Sequence, residues 1–312
     1  MCLEGSYRTL NRLRRREAWT GLAFVSPGVI GLLVFAVGPF LASGLLSFTN
    51  YNLLEPPKFI CVANYILLFH DHRFYIALWV TFYYAIVSVP LDLAVAVGLA
   101  LLLNQRVCGL GIFRTIFYLP AVLPPVATAV LWNWILNPDF GILNAALHFF
   151  GIPKESLPQW LIAPEWTVPA YILMSLWGVG TAMIVSLAGL QDVPKSLIEA
   201  AILDGAGTWA RFWHITLPMI SPVLFYNVIQ GIIGSFSYFT TPFILGQGVG
   251  SGSGTNDAGL FYALYVYQQA FSNLNLGYAS ALAWVMLVII LLLTLLIFRS
   301  SSIWVYYGGE RR

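Results

Sequence analysis

Few side chains in this sequence can do chemistry, and most of them stand alone. Asp92, in the run VPLDLAVAVG, is the one ionisable side chain deep in an apolar segment. A carboxylate in hydrocarbon is costly and by default points to function. No second carboxylate, Lys or Arg lies at similar depth, so a proton relay has nothing to run through. The competing reading is a hydrogen bond to a neighbouring helix. His70 and His72 share one inter-span segment with no third ligand in view, too few for a metal site, and His148 and His214 stand apart. Cys2, Cys61 and Cys108 lack CxxC spacing and read as neither a disulfide framework nor a metal site. No GxSxG, HExxH or phosphate-binding GxxxxGK[ST] pattern occurs. The expectation is a chain with no catalytic residue, no metal and no cofactor of its own. Any ATP it depends on is hydrolysed by another chain.

One stretch has informative spacing. It runs from Glu199-Ala200-Ala201 through Asp204-Gly205-Ala206-Gly207 to Ile215-Thr216-Leu217-Pro218. Asp192 can cap a helix with Pro194 in its first turn. That helix would carry Leu197, Ile198, Ala201 and Ile202 on one side, and Gly205 would permit a sharp turn. A second helical piece, Trp209 to Ile215, would run into Pro218. A short helix-turn-helix with an apolar ridge and one carboxylate has no groove for catalysis. Its shape suits being pushed or pulled by a partner.

The elements that position these residues follow from composition. Of 312 residues, 59% are hydrophobic and 9% charged, against about 25% charged in soluble domains. The apolar residues come in long runs, and roughly 20 are needed to cross hydrocarbon. Six segments qualify, at about 20–48, 76–103, 113–135, 168–190, 219–245 and 277–299. Pro90, Gly231 and Gly234 inside them are tolerable where neighbours satisfy the freed backbone. The Arg-rich start could pass for a secretory signal. The run from Trp19 to Phe48 is longer than a signal's apolar core, so an uncleaved first span is expected. Twelve of the 15 Lys and Arg then fall on one side, in the N-terminal tail, the loops after spans two and four, and the C-terminal end. The positive-inside rule places both termini and the Glu199 loop in the cytoplasm. Trp19, Trp132, Trp134, Trp160, Trp166 and Trp304 fall near span ends, where amphipathic rings favour the interface. Between spans three and four, Asn137-Pro138-Asp139-Phe140-Gly141 reads as a turn and Ile142 to Leu147 as a short interfacial helix. The chain thus divides into a tail at 1–18, a six-span all-α membrane domain at 19–300 with the loop at 191–218, and a tail at 301–312. A net charge of +2 is too small to suggest a nucleic-acid partner, and no basic patch interleaves with aromatics.

The Glu199–Pro218 stretch resembles the signature loop of bacterial binding-protein-dependent ABC importers: EAA, three residues, a glycine, nine residues and I-x-LP. Glu199, Ala200, Ala201, Gly205, Ile215, Leu217 and Pro218 fill every position. Asp204 to Gly207 (DGAG) and Phe113 to Asn144 (FRTIFYLPAVLPPVATAVLWNWILNPDFGILN) are similar to the carbohydrate branch, the maltose/glycerol-3-phosphate-type permeases. The likeness extends from about residue 15 to 300. A Gly/Ser tract, Gly246 to Gly254, replaces the Gly-Gly-Pro often found after span five.

The resemblance implies a type I ABC importer permease fold, with both termini cytoplasmic in a multi-pass bacterial cell-membrane protein. A second homologous permease would complete the pore. Two ABC ATPase subunits, carrying ATP and Mg, would grip the loop through Glu199, Ala200, Ala201, Asp204, Gly205, Ile215, Leu217 and Pro218. An extracellular or periplasmic binding protein would deliver the sugar. In that family the sugar touches spans four and five near mid-membrane, which here points to Trp177, Gly178 and Thr181, then Gln230, Gly234, Ser237 and Tyr238. Close helix packing is the competing reading for the Gly and Ser positions. Glycerol 3-phosphate or another polyol phosphate is an alternative cargo, which the lack of intramembrane Lys or Arg disfavours. A lone ion-coupled carrier and a membrane-embedded transferase are the readings from other classes.

Overall fold

The computed structural model describes residues 2–105, 109–246 and 253–306, with side chains from Glu17 onward. Arg106, Cys108, Arg311, Arg312 and the middle of the Gly/Ser tract lie outside the described residues. Helices dominate because the apolar runs satisfy their own backbone internally. In chain order they are α1 Cys2–Leu32, α2 Gly38–Leu46, α3 Ala63–His70, α4 His72–Leu103, α5 Leu110–Val122, α6 Pro125–Ile135 and α7 Ile142–Phe149. There follow α8 Pro164–Trp177, α9 Gly180–Gln191, α10 Lys195–Leu203, α11 Thr208–Arg211, α12 Leu217–Phe236, α13 Thr240–Gly246, α14 Tyr262–Tyr267 and α15 Leu276–Trp304. Among the described residues, the β-structure is one antiparallel pair, Thr49–Asn50 with Lys58–Phe59.

Among the described residues, four helical runs are long and apolar enough to cross a membrane, and six if each of two bent pairs is one span. The segments at 113–135 and 168–190 are the two bent pairs. The first is α5 and α6, bent by 98°, and the second is α8 and α9, bent by 47°. Pro124 and Pro125 explain the sharper break. Pro125 has no amide hydrogen, and a residue before proline is driven to extended backbone; Leu123 and Pro124 have ψ of 140° and 133°. The fifth span, expected at 219–245, also breaks, between α12 and α13. The first span continues α1 through a π-turn, Leu33–Val37, into α2. Likewise α15 runs on past residue 300.

Helix α4 is the unbroken post of the bundle. Asp71 caps it by accepting from Arg73 N at 2.9 Å. Its 32 residues span about 48 Å. Near its start, Phe74, Ala77 and Tyr84 join Tyr171, Phe261 and Tyr262 in one buried cluster. Near its end, Ala96, Ala100 and Leu103 join Met183, Leu187 and Ile220 in a second. The first span lies outside both: its apolar window shows no buried residue. It touches the bundle where Ser43, Gly44 and Phe40 meet Trp284 of α15.

Candidate functional site

Three helix breaks meet at one place. Leu123 (between α5 and α6), Gly178 (between α8 and α9) and Tyr238 (between α12 and α13) all line a two-lobed cavity against α4. The larger lobe, about 470 Å³, lies among α4, α9 and α12; the smaller, about 340 Å³, reaches Thr128 and Trp132 of α6. Both share Tyr84, Asp92, Ser175, Gly178 and Tyr238. Broken backbone at membrane depth is tolerated where it faces protein or a water-filled cavity, and this cavity supplies that setting. Thr181, Gln230 and Gly234 are exposed, so the larger lobe is a trough open on one side of the chain.

The lining is polar in a particular way. Ser175 Oγ lies 2.9 Å from Asp92 Oδ1 and 2.8 Å from Ile172 O, so its single proton serves either acceptor. Asp92 thus has the inter-helix hydrogen bond named above as its competing reading, and it also faces the cavity. Asn227 Nδ2 donates to Ser186 Oγ at 3.1 Å, which orients its amide on the α12 wall. Tyr84 and Tyr238 stack with centroids 5.1 Å apart and planes 6° from parallel, and Phe261 meets both edge-on. Amides, hydroxyls and flat phenol rings suit a ligand with many hydroxyl groups. Among the described residues, no Lys or Arg lines either lobe.

Five of the seven expected path residues come together here: Gly178, Thr181, Gln230, Gly234 and Tyr238. Trp177 instead packs edge-on against Trp132, with centroids 5.9 Å apart. Ser237 ends α12, exposed, with its N–H on Ile233 O at 3.1 Å. Sequence reasoning missed Tyr84, Ser88, Ser175 and Asn227. The rarity of polar residues in the α4 run was the available signal for Ser88.

The second candidate region is the loop. Helix α10 ends in a complete Schellman motif: Ala206 N donates to Ala201 O at 2.9 Å and Gly205 N to Ile202 O at 3.0 Å. Gly205 has φ of +78°, the left-handed region that favours glycine. Glu199, Ala200 and Asp204 are exposed. Two local expectations are corrected. Asp192 does not cap α10; it ends α9, its N–H on Ala188 O, while Pro194 precedes α10 without a side-chain cap. The single apolar ridge divides: Ile198 packs on the bundle, while Leu197, Ile202 and Leu203 are exposed, Leu203 at 88%. The second leg runs into the following span, as expected. It passes from α11 through a π-turn, Phe212–Thr216, directly into α12. The π-turn accommodates Pro218, which offers no N–H to the preceding turn. Ile215, Leu217 and Pro218 are therefore the root of a membrane helix, half-buried.

Known proteins resemble the chain over nearly its whole length. Residues 94–303 match the family described as binding-protein-dependent transport system inner membrane component. A probable ABC transporter permease of Bacillus subtilis (strain 168), YesP, is 43% identical over 302 residues, covering 96% of each chain. The lactose transport system permease LacF of Rhizobium radiobacter is 32% identical, covering 93% of this chain and 96% of its own. In fold, the chain resembles one from a bacterial alginate ABC transporter crystallised with an alginate pentasaccharide-bound periplasmic protein. The TM-score is 0.79 at 24% identity, over 92% of this chain and 95% of that one. With the family match covering most of the sequence and the helical fold agreeing, this chain belongs to the inner membrane components of binding-protein-dependent transport systems.

Proposed function

We propose that the chain forms one half of the translocation path of an ATP-driven sugar importer in the bacterial cytoplasmic membrane, with both termini inside. The trough beside α4 and α12 carries the sugar, and its open side is closed by a second, homologous permease. A neutral saccharide fits better than a polyol phosphate, because the lining offers amides, hydroxyls and phenol faces and, among the described residues, no Lys or Arg. An extracellular or periplasmic binding protein delivers the sugar, in keeping with membership of a binding-protein-dependent family. Two separate ATPase subunits bind ATP and Mg.

The observation that carries the coupling half of this reading is the docking loop. Glu199 and Ala200 present a carboxylate and a small, closely approachable surface, flanked by exposed Leu197 and Leu203. The Schellman turn at Gly205 fixes α10 against α11, which is continuous with α12. A push on α10 therefore reaches the cavity wall as a rigid-body motion. Glu199 would meet a basic side chain on the ATPase. Glu199→Lys is expected to abolish uptake in membrane vesicles and to uncouple ATP hydrolysis, with the chain still inserted. Normal uptake by this variant would falsify the assignment of the loop.

A further inference from the structure

A second polar cleft lies at the other end of α4. The end of α4 at Leu103 packs with Leu190, Val193 and Ile198, beside the docking loop. Its start at His72 borders a cleft of about 770 Å³ between the Thr49–Asn50 hairpin strand, α3, and the segment from Gln269 into α15. Nothing in the central path uses this cleft, and the volume lies within the range of small-molecule sites.

The cleft floor is held in place by a chain of hydrogen bonds. Asp71 accepts from Tyr265 Oη, from Tyr278 Oη at 2.6 Å, and from Arg73 N. Gln269 Nε2 donates to Tyr265 Oη at 2.8 Å, and Asn273 Nδ2 to Gln269 Oε1 at 3.1 Å. Across the cleft, Asn64 Nδ2 donates to Ser47 O and Thr49 O at 2.8 and 2.9 Å. The rim differs. The side chains of Asn50, Tyr51 and Asn275 make no hydrogen bond to any described residue, and both amides are exposed. Among the described residues, the one cation lining the cleft, Arg73, is engaged by both oxygens of Asp257 at 2.9 Å each, with Gln268 Oε1 at 3.2 Å. A phosphate or carboxylate ligand therefore meets no available positive charge. A lipid chain meets too many polar groups. Donors and acceptors in both senses, set around phenol rings on a pre-organised floor, match a neutral polyhydroxylated ligand.

We infer that this cleft is a second saccharide-binding site, separate from the central trough, with Asn50, Tyr51 and Asn275 as its ligand-facing rim. The inference rests on the chemistry of the cleft and not on the reading of the trough.

Saturation-transfer NMR on the full chain in lipid nanodiscs tests it, with maltose, lactose and cellobiose at millimolar concentration as probes. Wild type should give transfer to at least one disaccharide. The double variant Asn50→Ala/Asn275→Ala should lower that signal at least about five-fold, and Phe24→Ala, exposed on the first span and outside both sites, should leave it unchanged. Leu67→Trp, which fills the cleft from an exposed position, should lower the signal as the rim variant does. Absence of transfer in wild type overturns the site, as does an equal loss with Phe24→Ala or an unchanged signal in both cleft variants. Capture of a binding protein that depends on Asn50 and Asn275, without any saccharide signal, also overturns it and makes the cleft a protein dock.

Discussion

Gly180 and Gly234 sit beside the same cavity and make opposite demands, so together they separate helix packing from passage. A Cβ on Gly180 would lie 2.8 Å from Phe117 O and 2.9 Å from Tyr118 Cα, both backbone of α5. Neither can step aside, so Gly180→Val is expected to cost about 1–3 kcal/mol of stability and to lower the melting temperature in detergent. A Cβ on Gly234 meets nothing within 4 Å. Gly234→Leu is therefore expected to fold at least as well, gaining up to about 1 kcal/mol of helix propensity, while uptake falls several-fold as the side chain enters the trough. A variant that folds and transports normally removes Gly234 from the path. The sequence alone could not divide these two glycines, because close packing and open space demand the same missing side chain. Gly205 was legible for the opposite reason: an amphipathic helix ending in DGAG asks for a left-handed residue at one position, and φ of +78° is found there.

Among elements, the breaks are where sequence reading was weakest. Apolar runs located the four long apolar helices and the two bent pairs found among the described residues, but a run carries no record of where its axis turns. Trp177 shows the consequence. It precedes the Gly178–Val179 break and packs on Trp132, whereas Thr181, past the break, lines the trough. The contributions of α4 and α6 to the cavity were hidden for another reason. Asp92 and Ser175 lie 83 residues apart, and no local periodicity reports such a meeting. The α5–α6 break was half-legible, since LPPV at 123–126 forbids a regular helix. Replacing Pro124 and Pro125 together by Ala restores two amide donors and should let α5 and α6 straighten. The expected result is a longer distance between spin labels at Ile116 and Leu131, with uptake reduced at least about ten-fold and insertion unchanged. An unchanged distance with lost uptake would instead assign the effect to the Pro125 side chain, which lines the smaller lobe.

For the molecule as a whole, α4 stands continuous from the polar cleft to the docking-loop end, while the helices that line the trough with it are jointed. The all-α architecture followed from composition, because lipid leaves a chain so apolar few alternatives. The jointed design did not, because it depends on which helices become neighbours. The joints also make a map that isotope exchange can read. A helix in hydrocarbon keeps its amide protons, since no water reaches them to carry them away. At the three breaks the ladder is interrupted beside a trough open to one side. Deuterium should therefore enter this protein from its middle: amides near Leu123, Val179 and Tyr238 should exchange within minutes, while those in the interior of α4 stay protonated for hours. Mass spectrometry of peptides from nanodiscs would register the pattern as label rising at three separated stretches of sequence. Uniform protection across all three would mean that the trough is dry.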